Sequence, residues 1–72
     1  STVLNGSEFI SGNITASANS ITIDGQAYSI FTIDKLIEII KQNPNTTSLS
    51  LDEVESGEQG INFKITAHMK KT

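Results

Sequence analysis

Seventy-two residues with a net charge of −3, no cysteine and a lone histidine, His68, leave room for one small domain (1–72) whose core rests on apolar packing. A disulfide framework and a thiolate or multi-histidine zinc site are thereby excluded, and no cofactor is expected. All five cations are lysines; without Arg the chain lacks the planar fork that reads phosphate and guanine, which disfavours nucleic acid as a partner.

Isoleucine is the main apolar material, with eleven residues against four Leu and two Val. That weighting favours strands, where a β-branched side chain packs well on a pleated surface. Ser, Thr and Asn supply 23 residues and a polar, hydroxyl-rich surface. No apolar run is long enough for a membrane span, and STVLNGSEF lacks the basic and apolar regions of a signal peptide. No membrane partner is expected, and the cytoplasm is the favoured compartment.

Residues 1–6 read as a frayed lead-in, and 70–72 as a tail. From Glu8 to Ala18 the apolar positions Ile10, Ile14, Ala16 and Ala18 share one parity, interrupted at Gly12-Asn13, where a bulge or turn is expected. Residues 17–20 form a polar break. Ile21-Thr22-Ile23 then leads into Asp24-Gly25, a two-residue hairpin signal, with Ala27 to Ile30 as the return strand.

A helix follows with almost no linker. Thr32 is placed as its cap, Asp34 in its first turn, and Phe31 and Leu36 as a hydrophobic staple. Ile33, Leu36, Ile37 and Ile40 recur at i, i+3, i+4 and i+7 and predict one apolar stripe, with Ile39 at its margin. Asn43-Pro44 ends the helix, because a residue before Pro is pushed out of the α region.

Thr47 to Asp52 alternates again, with Leu49 and Leu51 on one face. Residues 52–60, DEVESGEQG, read as an acidic connection. The closing strand is the clearest: Ile61, Phe63, Ile65, Ala67 and Met69 point one way, and Asn62, Lys64, Thr66, His68 and Lys70 the other. The expected fold class is α+β, an antiparallel four- to five-stranded sheet packed by one helix in the order β-β(-β)-α-β-β. In topology this resembles the β-grasp domains of the ubiquitin-like and immunoglobulin-binding class. The chain ends in Lys70-Lys71-Thr72 without the Gly-Gly of the sulfur carriers, which disfavours a carrier role.

Two surfaces are candidate sites. Asp52, Glu53, Glu55 and Glu58 form the densest charge cluster; their spacing does not fit a Ca²⁺ loop, which leaves docking on a basic protein surface. Lys64, His68 and Lys70 line the outward face of the last strand. His68 has no nucleophile motif such as G-x-S-x-G to serve, and Asp34 and Glu38 simply share an exposed helix face. No catalytic residue and no metal ligand set emerges, so the chain reads as non-enzymatic.

The leading expectation is a small protein-interaction module, an inhibitor that docks on a larger protein, similar in size and composition to small phage-encoded inhibitors. The alternative is a structural or assembly protein that self-associates as a homodimer, with Phe9, Ile39 and Met69 exposed on edges. A single-stranded nucleic-acid reading of the Lys64, His68 and Lys70 face lacks the stacking aromatics it would require.

Overall fold

In the computed structural model, residues 8–70 are described. They form β1 (Phe9–Ala16), β2 (Ser20–Ala27), α1 (Ile30–Gln42), β3 (Thr46–Ser56) and β4 (Ile61–Met69). The four strands make one sheet in the order β1-β2-β4-β3, and each neighbouring pair is antiparallel. The region around residues 8–18 therefore joins the sheet, and the α+β class with one helix on an antiparallel sheet is as expected. The likeness to β-grasp domains extends to the element order. In the sheet itself, β2-α1-β3 forms a split β-α-β unit, with β4 inserted between β2 and β3.

The first hairpin is not where the sequence placed it. Asp24-Gly25 lies inside β2, paired with Asn13-Gly12 of β1 and with Lys64-Phe63 of β4. No glycine among the described residues has a positive φ, so the turn that Asp24-Gly25 would require is not made. Gly25 serves close approach instead. A Cβ there would overlap the Ser11 carbonyl oxygen and lie 2.8 Å from the Gly12 Cα. The chain reverses at the polar break, where the Ser17 N–H donates to the Ser20 carbonyl at 2.8 Å and the two hydroxyls meet at 2.7 Å.

The bulge in β1 also sits earlier than expected: the register shifts between Phe9 and Ser11, not at Gly12. One extra residue inverts the alternation. Phe9 is thus turned into the core, where its ring meets Phe63 at 6.1 Å between centroids, and Gly12, Ile14 and Ala16 pair with the inward Gly25, Ile23 and Ile21.

The helix starts two to three residues before the expected cap. Its N-cap is Ser29, in extended conformation, and Thr32 is buried inside the first turn. Asp34 accordingly falls beyond that turn, which holds no acidic residue. Phe31 precedes Ile33 by two positions, about 200° around the helix, so it faces solvent and makes no staple. The expected stripe holds: Ile33, Leu36 and Ile40 are buried with Phe63, Ile65, Ala67 and Ala27, and Ile37 packs beside them. At the far end the Asn43 N–H returns to the Ile40 carbonyl, and Asn43 Oδ1 accepts the Asn45 N–H across Pro44.

β3 runs on to Ser56 through most of the supposed acidic connection, which leaves residues 57–60 as the turn into β4. Its inward residues Leu49, Leu51 and Val54 oppose Ala67, Ile65 and Phe63. β4 follows its predicted alternation, with Phe63, Ile65 and Ala67 buried and Lys64 and His68 exposed. The predicted lead-in, residues 1–6, and most of the predicted tail lie outside the described residues; Lys70 is included, and its N–H donates to the Asn45 carbonyl.

Candidate protein-interaction surfaces

The sheet has one polar face, one apolar face and two edges. On the polar face, cross-strand register assembles rows of like chemistry. Thr15, Thr22, Thr66 and Ser50 stand abreast, followed by Asn13, Asp24, Lys64 and Glu53, then Ser11, Gln26, Asn62 and Glu55. The two candidate surfaces read from the sequence are therefore one surface. Lys64 sits between Asp24 and Glu53, so the basic stripe and the acidic cluster offset each other. His68 stands between Ser20 and Ser48, Lys70 leaves the end of β4, and Glu58 lies apart in the β3–β4 turn.

Asp52 occupies the β3 bulge, where the register shifts between Leu51 and Glu53. Its carboxylate accepts hydrogen bonds from the Thr66 hydroxyl and from the Ser50 hydroxyl, the latter at 2.9 Å. The Thr66 bond first, then the Ser50 bond and the positive charges of Lys64 and His68, hold this carboxyl below the ordinary aspartate range. Part of the acidic cluster is thus spent on pinning a bulge. Among the described residues no group of His, Asp and Glu has metal-site geometry. No described helix is long and apolar enough to cross a membrane.

On the apolar face the helix decides what is covered. Thirteen residues make a helix about 20 Å long, and the molecule extends 41 Å in its longest dimension. The helix lies over β2, β4 and β3. The inner face of β1 is left largely open, and Ile14 is 73% exposed although it points to the same side as the core. Between it and the helix is a hollow of about 290 Å³ lined by Phe9, Gly12, Ile14, Ile23, Leu36 and Phe63. Lys35 Nζ bonds Glu8 Oε1 at 2.9 Å and ties the helix to the start of β1 beside this hollow.

The exposed apolar residues differ from those expected. Phe9 and Met69 pack against the core and Ile39 is half-buried, whereas Ile14, Tyr28, Ile30, Phe31, Leu51 and Val54 face solvent. The sequence held one usable sign of this: from Phe9 to Ile23 there is no charged residue. An edge strand commonly carries charge, and β1 carries none.

The model of the fimbrial assembly protein (PilN) family matches residues 12–69, from the middle of β1 to the last residue of β4. The chain belongs to this family. The match thus takes in β2, β3, β4 and the whole helix, and it starts at Gly12 of β1, past the bulge that inverts that strand. Comparison with curated proteins and with solved structures finds no match.

Proposed function

We propose that this PilN-family domain is a non-enzymatic assembly module that joins protein chains through the open edge and uncovered inner face of β1. The observation that carries this reading is the state of β1: an uncharged edge strand whose inward Ile14 is left 73% exposed beside an apolar hollow. Unpaired backbone groups on such an edge supply hydrogen bonds to an added strand, and an adjacent apolar surface supplies the driving force. The family's role in fimbrial assembly supports a protein-joining task over a chemical one. Docking of Asp52, Glu53, Glu55 and Glu58 as an inhibitor on a basic surface has less support. Asp52 is held by Thr66 and Ser50, and Glu53 stands beside Lys64.

The test is a chromosomal double substitution, Ile14→Lys with Ala16→Lys, which charges the edge without touching a buried residue. The expected result is loss of assembled fimbriae at an unchanged cellular level of the protein. Normal fimbriation by the doubly charged protein would overturn the reading.

A further inference from the structure

We propose that β1 pairs antiparallel with β1 of a second copy of this chain, about a two-fold axis at Asn13, so that Ile14 of each copy fills the space left by Gly12 of the other. This rests on the reading of β1 as the joining surface and names its partner and register.

The backbone settles which residues are available. The Ser17 N–H bonds Ser20, and the register is unbroken from there back to Ser11 opposite Gln26. Because antiparallel bonding alternates along a strand, the odd-numbered residues of this stretch bond β2. Gly12, Ile14 and Ala16 therefore turn their N–H and C=O groups to the open edge. A second β1 satisfies them when even positions oppose even positions. With Asn13 opposite Asn13, Gly12 meets Ile14 in a hydrogen-bonded pair on each side of the axis, and Ser11 meets Thr15.

Gly12 supplies the independent observation. A Cβ built there meets nothing closer than the Asp24 carbonyl oxygen at 3.9 Å, and its φ is not positive. Its own chain therefore has no need of glycine at this place, in contrast to Gly25 directly opposite, although glycine weakens a strand. Within a dimer the missing side chain has a purpose: it leaves room beside the hollow for the exposed Ile14 of the second copy.

The charge pattern allows a second copy to pair on β1 and opposes self-pairing on β3. Two-fold pairing brings each residue near its own equivalent, so a self-pairing edge must avoid like charges, and the chain carries a net −3. β1 has no charge, whereas β3 carries Asp52, Glu53 and Glu55 and no cation. At the axis, the Asn13 amide has both donor and acceptor and can bond its own equivalent.

Disulfide trapping tests the register in the purified chain, whose described residues contain no cysteine. Directly opposed Cβ atoms in a non-hydrogen-bonded pair lie about 4.5–5.5 Å apart, near disulfide geometry. Asn13→Cys is expected to form a disulfide-linked dimer under mild oxidation, and Ser50→Cys on the β3 edge is expected not to. Gly12→Val added to Asn13→Cys should abolish the dimer while circular dichroism and the unfolding transition report an intact fold. Failure of Asn13→Cys to cross-link, or equal cross-linking by Ser50→Cys or in the presence of Gly12→Val, would overturn the proposal. If cysteine at 13 instead cross-links in cells only to a different protein, β1 remains the joining surface and the second copy is eliminated.

Discussion

β3 and β1 are both edge strands, yet β3 carries three carboxylates and two bulges, whereas β1 carries no charge and one bulge near its start. Bulges and inward or clustered charges are the devices by which sheets discourage further pairing. On β3 they are reinforced, since the Asp52 bulge is fastened by hydroxyls from Ser50 and Thr66. On β1 the stretch from Ser11 to Ala16 is regular and uncharged. The two edges share a sheet and a core, so the contrast lies in surface chemistry. One edge carries the features that discourage further pairing, and the other lacks the charge that would do so.

The largest expected effect removes the support common to both edges. Phe63 lies under Phe9 and opposite Val54, and Phe63→Ala should lower unfolding free energy by about 3–5 kcal/mol in denaturant titration. Hydrogen exchange should then show β1 amides losing protection ahead of those of β3, because β1 depends on Phe9 for its hold on the core. Equal loss on both edges would erase the energetic side of the comparison.

A glycine pair sharpens it. Gly25→Val places a side chain against the Ser11 carbonyl and should cost about 2–3 kcal/mol. Gly12→Val, directly across the same pair, should stay within about 0.5 kcal/mol of the parent. Thermal melts of the two variants are sufficient to check the difference.

Charge on exposed apolar residues separates folding from association. Ile14→Lys and Val54→Lys should each change stability by about 0.5 kcal/mol or less, as both side chains are exposed. Sedimentation should report weakened self-association for Ile14→Lys and none for Val54→Lys. A matched response would mean that the edges are equivalent.

The smallest effect concerns acid. The folded-state pKa of Asp52 lies below its unfolded value of about 3.9. Its contribution to stability is therefore present above that unfolded value and is lost as pH falls through the lowered folded value. Asp52→Asn should make the melting temperature less sensitive to pH below about 4, with little change at neutrality. An unchanged acid profile would show that the bulge does not depend on this carboxylate.

Much of the architecture was legible residue by residue. β4 was readable because its alternation is unbroken from Ile61 to Met69. The stripe of Ile33, Leu36 and Ile40 was readable because helical period and burial agree. Asp24-Gly25 is ambiguous in the sequence because glycine has two uses, a left-handed turn and close backbone approach, and a local window shows no neighbouring strand. The acidic 52–60 stretch resembles a connection because charged residues are common in loops, yet a strand with one wet face tolerates them and β3 runs on to Ser56.

The surface at β1 was illegible for a different reason. Ile14 has the side chain of a core residue, and its parity relative to Phe9 depends on a bulge that the chain did not announce. Whether an inward residue is covered depends on where a helix of about 20 Å comes to rest on a longer sheet. Period, parity and chain order are local quantities, so the amino acids fixed the elements and the α+β class. Exposure is a relation between elements, and only their packing left the inner face of β1 open.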